Sequence, residues 1–153
     1  SLEILDDIGT LASLKNTRSD VIVDVGTADF ESMKQALKLA DRIVTPVPPS
    51  QADIWSTQRF IKIIREECGG NKKMPQVLGF INRADTHIGV RETDEAEEAL
   101  GYLKNIDHVN LRLYQRTAYR RSFSEGLAVF ELQPGSKASN EIIQLARHLY
   151  PRA

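Results

Sequence analysis

Residues 76–85 read Gln-Val-Leu-Gly-Phe-Ile-Asn-Arg-Ala-Asp. An unbroken apolar run of this length, ended by polar residues, predicts a strand over 76–81 of the kind found inside parallel sheets. The same alternation continues outward from it. Upstream, Arg42-Ile43-Val44-Thr45 predicts a strand that stops in Pro46-Val47-Pro48-Pro49, whose missing donors and fixed φ end any ladder. Before that, Asp20-Val21-Ile22-Val23-Asp24-Val25 is a β-branched run closed by Gly26-Thr27, and predicts a further buried parallel strand. Downstream, Val109 to Leu113 predicts a fourth.

Helical periods fill the gaps. Ile4, Leu5, Ile8, Leu11, Ala12 and Leu14 recur at three and four, as do Met33, Ala36, Leu37 and Ala40. Ala52 to Cys68 is the longest helical stretch, with Ile54, Trp55, Phe60, Ile61, Ile63 and Ile64 near one face and Gly69-Gly70 as its C-cap. An acidic helix over 92–104, an arginine-rich one near 116–125 and a closing helix over 139–149 complete the chain. Strand–helix alternation implies an α/β fold in three layers: a parallel sheet with helices on both faces and right-handed crossovers. In such sheets ligands collect at the carboxyl ends of the strands, here the residues after Val23, Thr45, Ile81 and Leu113.

The sequence has 153 residues and a formal net charge of −1, with 41% hydrophobic and 27% charged residues, which suits one domain over 1–153 with a real core. The balanced charge argues against nucleic-acid binding by bulk attraction, though not against a local basic patch. No apolar run approaches the roughly 18–20 residues that cross a bilayer, and the first residues show no signal-peptide pattern. Cys68 is the single cysteine, which excludes an internal disulfide framework or a CxxC metal site and fits a reducing cytosol. His87, His108 and His148 have no zinc-ligand spacing. No Ser/His/Asp arrangement, glycosidase carboxylate pair or metal cluster stands out.

The strand ends carry the chemistry. An apolar strand that delivers Asp24 at its carboxyl edge can hold Mg²⁺ or its waters, and Gly26 would let a backbone N–H approach a γ-phosphate. The plainer alternative is a helix cap or a solvent-facing carboxylate. Asn82 offers a donor and an acceptor side by side, suited to a purine edge. The spacing Asn82-Arg83-Ala84-Asp85 also matches the base-reading motif of GTPases, unless it is a polar turn in which Asn82 and Asp85 cap the next helix. Arg112, Arg116, Arg120 and Arg121 stand against Glu125 in Leu111–Glu125, with Arg116 and Arg120 four apart and so on one helical face. They form either a patch for phosphate contacts without base reading or a solvated face paired with the acidic 92–98 stretch. Trp55 and Phe60 read as core or interface anchors, and Cys68 as an inert thiol.

Taken in order, SDVIVDVGTADFES, ADRIVTPVPPSQADIWS, VLGFINRADT and LYQRTAYRRSFSEGLAVFE resemble blocks of the ParA/MinD family of deviant Walker-type P-loop ATPases. The likeness is greatest to its small plasmid-partition branch. It runs from about Asp20 to Tyr150, with Pro46, Pro48, Pro49, Ser50 and Asp53 at a proline-rich turn and Gln115-Arg116, Gly126, Val129 and Phe130 in the last block. The resemblance implies an ATP-dependent dimerising switch that binds DNA non-specifically for plasmid or chromosome segregation. Asp24 would organise Mg²⁺ and the attacking water as the catalytic and metal residue, and Gly26 would sense the γ-phosphate of ATP. Asn82, Arg83 and Gln115 would lie on the nucleotide, with Asn82 and Arg83 bordering adenine. Arg112, Arg116, Arg120 and Arg121 would meet DNA. It further implies a homodimer, a centromere-binding ParB-like partner, no membrane, and a cytoplasmic, nucleoid-associated protein.

One departure is plain. The family's KGGxGKT loop has no counterpart, since Gly9, Gly69-Gly70 and Gly135-Ser136-Lys137 all fail GxxxxGK[ST]. Positioning is most of what a protein contributes to phosphoryl transfer, so residues 1–153 by themselves are not expected to hydrolyse ATP. In the family the loop's strand lies between the strands at 20–25 and 42–47. The expectation is therefore that the sequence is the C-terminal two-thirds of a longer ATPase domain, or that strand exchange in a dimer fills the gap. Two other classes remain open: a non-catalytic dimerisation or partner-binding module, and a family ATPase that positions a conjugation or secretion machine.

Overall fold

The computed structural model describes residues 12–13, 19–26, 29–70, 74–87 and 89–151. The elements alternate as α1 (Phe30–Leu39), β1 (Arg42–Val47), α2 (Gln51–Cys68), β2 (Gln76–Ala84), α3 (Glu92–Tyr102), β3 (Asp107–Tyr114), α4 (Thr117–Ser124), α5 (Val129–Leu132) and α6 (Lys137–Leu149). All strand pairs are parallel, in the order β1–β2–β3. This is an α/β fold consistent with a P-loop NTPase-like domain.

Strand β2 is the middle of the sheet and its apolar run covers both faces. Val77 and Ile81 face one side, where they join Ile43 and Val47 of β1, Ile54, Ile61 and Ile64 of α2, Leu100 of α3 and Leu37 of α1. Leu78 and Phe80 face the other, with Val109 and Leu113 of β3 against Ile142, Leu145 and Leu149 of α6. Period-two side chains and two apolar faces thus make three layers. Between Val77 and Ile81 stands Gly79, where a Cβ would come within 2.6 Å of Ile106 Cδ1. At the amino ends, Gln76 ties the strands together: it accepts from Arg42 Nε at 3.2 Å and donates to Asp107 Oδ2 at 3.2 Å.

Local chemistry sets the helix starts. Ser50 Oγ accepts the Asp53 N–H at 3.1 Å at the head of α2, and Ser136 Oγ accepts the Ser139 N–H at 3.1 Å at the head of α6. Gly69 does occupy the C-cap of α2, in the right-handed region (φ −61°, ψ −18°). Helix α4 ends in a Schellman arrangement: Gly126 (φ +66°) donates to Phe123 O at 3.1 Å and Leu127 donates to Ser122 O at 3.0 Å.

The strand expected over Asp20–Val25 does not form. Residues 20–26 carry neither helix nor strand, and Val21, Ile22 and Val23 are 43%, 83% and 41% exposed. A β-branched run supplies propensity, but the ladder has to come from a neighbour. Among the described residues β1 pairs only with β2, and nothing pairs with 20–25. Of the helix expected over 4–14, Ala12 and Ser13 are helical and the rest lies outside the described residues. Smaller differences follow the same logic. β2 runs on to Ala84, α4 begins only at Thr117, and α5 is a four-residue turn too short to show a period.

Two substitutions separate the buried framework from this exposed run. Leu100→Ala, at a side chain with no exposure, is expected to cost about 2–5 kcal/mol. Ile22→Ala is expected to change stability by less than about 0.5 kcal/mol. Urea unfolding checks both, and a cost at Ile22 as large as that at Leu100 would place the segment inside the sheet.

Candidate functional site

Parallel strands bring their carboxyl ends to one edge, and the loops leaving all three meet there around a cleft of about 530 Å³. The loop after β1 contributes Pro48, Pro49 and Ser50, with Asp53 from the first turn of α2. The end of β2 contributes Arg83, Asp85 and Thr86, and β3 hands on Gln115, Arg116 and Thr117, with Arg120 one turn into α4. Glu92 and Thr93 of α3 complete the polar lining. The register makes this convergence: Asn82 stands opposite Leu113, Ala84 opposite Tyr114, and the Gln115 N–H donates to Ala84 O at 2.9 Å.

Arg83 takes a left-handed conformation (φ +57°), which costs a non-glycine residue about 1–2 kcal/mol. Asp85 holds the turn beyond it. Its Oδ1 accepts the His87 N–H at 2.8 Å, while its own N–H donates to Thr93 Oγ1 at 3.2 Å. The N-cap of α3 is Arg91, with no side-chain cap. Asn82 and Asp85 therefore do not cap the next helix, as the plainer reading of this loop expected. Asn82 is half-buried in β2, one residue ahead of the cleft.

The four arginines do not form one surface. Arg112 is bound to α3, through Nε to Glu97 Oε2 at 3.0 Å and Nη2 to Asp94 Oδ1 at 2.8 Å. Arg116 precedes α4 in extended backbone (φ −111°, ψ 139°), so it does not share a helical face with Arg120. It donates to Glu141 Oε1 from Nε at 2.8 Å and Nη2 at 2.6 Å, with its guanidinium 5.1 Å from the Tyr114 ring centre. Glu141 Oε2 also accepts the Tyr119 hydroxyl at 2.8 Å and the Tyr114 N–H at 3.2 Å. One carboxylate on α6 thus locks the end of β3 to the start of α4. Burial, and then the adjoining Glu141 carboxylate, push the Tyr119 phenol well above its ordinary value. Arg120 and Arg121 are exposed, and neither has an ion pair among the described residues.

The structure gathers Arg83, Gln115, Arg116 and Arg120 in the cleft. Asp24 and Gly26 are exposed in the irregular 20–26 segment and do not line it. Mg²⁺ is held through one or two carboxylates together with substrate phosphates. Among the described residues no three His, Cys, Asp or Glu side chains converge as a metal site. The cleft itself sets Asp53, Asp85 and Glu92 against Arg83, Arg116 and Arg120, with Arg116 already neutralised by Glu141. That balance does not fit a triphosphate with its metal. It fits an uncharged, hydrogen-bonding part of a ligand. Cys68 is buried, donates to Leu37 O at 3.4 Å and has its thiol pKa raised by burial. No helix among the described residues is long and apolar enough to cross a membrane.

With this geometry in place, comparison with known proteins adds one relationship. The chain is similar to a carboxysome-distribution protein. It is 26% identical over 148 residues to "maintenance of carboxysome distribution protein A" of Halothiobacillus neapolitanus, an alignment that takes in 95% of this chain and 67% of that protein. No family model matches. The likeness, on an α/β sheet whose strand ends form the cleft, supports a relationship to ParA-type proteins and a positioning or partition type of role.

Glu141 and Thr93 carried no signal in the sequence, and Glu92 only that of the acidic 92–98 stretch. Glu141 lies 25 residues from Arg116, and nothing in the local pattern of α6 marks it as anything but a surface residue. Glu141→Ala is expected to cost about 2–4 kcal/mol, because it leaves the half-buried Arg116 guanidinium without its carboxylate and Tyr119 with Ala138 O alone. The raised Tyr119 pKa sets a pH dependence. The native fold keeps a proton that the unfolded chain releases from its ordinary value of 10.0 upward, so stability falls as pH rises above that value. Tyr119→Phe is expected to remove this alkaline loss, measured as the difference in unfolding midpoint between neutral and alkaline buffer.

Proposed function

We propose that this chain supplies the nucleobase side of a ParA-type positioning ATPase. The observation that carries the reading is the meeting of Pro48–Pro49, Arg83 and Gln115 in one cleft at the strand ends. The cleft is small, hydrogen-bonding and close to neutral, as a base site requires. Asn82 stands beside it at the edge of β2. Phosphates and Mg²⁺ then lie outside this cleft, with Asp24 and Gly26 placed toward them as the resemblance implies. Residues 1–153 contain no GxxxxGK[ST] loop, so in this reading the grip on the triphosphate comes from residues other than these.

In this reading ATP closes a dimer, the dimer holds DNA without reading its sequence, and a partner resets the switch by stimulating hydrolysis. The relative's name concerns carboxysome distribution. By analogy the cargo here is a large assembly distributed along the nucleoid. Arg121 on α4 is left for DNA, because Glu97 and Glu141 occupy Arg112 and Arg116 and Arg120 lines the cleft. A second reading, a non-catalytic partner-binding module, is favoured by exposed apolar side chains in the last turn of α4 and just after it, Phe123 at 89% with Leu127 and Phe130 at 46% and 45%.

Fluorescence anisotropy on arbitrary duplex DNA, using the longest natural form with ATP, separates the two. Retention that weakens with salt is expected, and Arg121→Ala is expected to lower the salt slope by about one per protomer. Absence of retention at low salt would leave the partner-binding module.

A further inference from the structure

Arg120 and Arg121 are adjacent in sequence but do different work. Helix α4 buries Ser122 and half-buries Tyr119, and the Tyr119 hydroxyl is held by Glu141 and by Ala138 O at 3.1 Å. This anchor sets the rotation of the helix. At about 100° per residue the next positions point in different directions. Arg120 lines the cleft with Arg83 and Gln115, whereas Arg121 does not line it.

The charge around Arg120 argues against a phosphate contact. Asp53, Asp85 and Glu92 share the cleft with Arg83, Arg120 and the Glu141-paired Arg116, so an incoming phosphate would find no net positive charge there. A planar guanidinium has a second use that such surroundings leave intact, which is to lie flat on an aromatic ring. Pro48 and Pro49 line the same cleft, and their rigid rings offer an apolar surface to the same heterocycle.

We propose that Arg120 is a base-contacting residue of the cleft, its guanidinium stacked on the purine of a bound nucleotide, and is not part of the DNA-binding surface. The inference rests on the nucleobase reading of the cleft. It adds a specificity element on α4, so the helix carries a ligand contact on one side and the exposed Arg121 on another.

The experiment measures adenosine and ATP binding to the longest natural form by ligand-observed NMR and calorimetry, for the wild type, Arg120→Ala and Arg120→Lys. Arg59→Ala, an exposed arginine of α2, serves as the charge control. Stacking on a base predicts that Arg120→Ala weakens adenosine and ATP by the same factor, about tenfold. Lysine, which keeps the charge and loses the plane, should not restore it, and Arg59→Ala should bind as the wild type does. Three results would overturn the proposal: wild-type affinity in Arg120→Ala, loss of ATP affinity with adenosine unaffected, or full rescue by lysine. Circular dichroism melting of Arg120→Ala shows whether a loss comes from unfolding, and the lysine variant then decides. A wild type that binds neither ligand would remove the nucleobase reading itself, and this proposal with it.

Discussion

Burial of both faces of β2 is the constraint on which the rest of the structure depends. A strand that is apolar at every position from Val77 to Ile81 cannot face water on either side. It therefore requires a strand along each edge and helices on each face. β1 and β3 meet the first need, α1, α2 and α3 cover one face, and α6 covers the other. Because all three strands run parallel, the loops that leave them emerge together. The cleft follows from the way the sheet buries its apolar side chains.

The electrostatics of the cleft come from pairings between distant elements. Glu97 on α3 and Glu141 on α6 neutralise Arg112 and Arg116 before any ligand arrives. A row of four arginines in sequence thereby becomes two structural clamps and two exposed cations. The clamps also position the cleft. Glu141 joins the end of β3 to α4, and Arg112 joins β3 to α3, so the loops around the cleft are held by charge-assisted hydrogen bonds from both sides of β3. These half-buried pairs are worth more as positioning contacts than as a net source of stability.

The 20–26 segment shows the limits of propensity. Val21, Ile22 and Val23 have the composition of a buried strand, and they are exposed without one. Strand formation is a property of pairs. Among the described residues nothing pairs with this run, and β1 pairs with β2 alone. Asp24, whose candidacy for Mg²⁺ rested on its place at an expected strand end, stands exposed and in no strand.

Residue order and period alone determined the alternation of helices and strands, the parallel sheet, and the strand ends as the place to look for a site. These are properties of near neighbours, since side-chain spacing of two or three to four reports on one element at a time. Pro48–Pro49 were legible as the stop of β1, whereas Arg83 and Gln115 were marked as nucleotide contacts only through the family resemblance of their blocks. Tertiary structure decided the rest. It set which arginine is committed and which is free, because Glu97 and Glu141 come from other elements. It turned Arg120 into the cleft, because the anchor of Tyr119 on α6 fixes the rotation of α4. It left 20–25 unpaired, because a ladder needs a second strand and no local pattern can supply one.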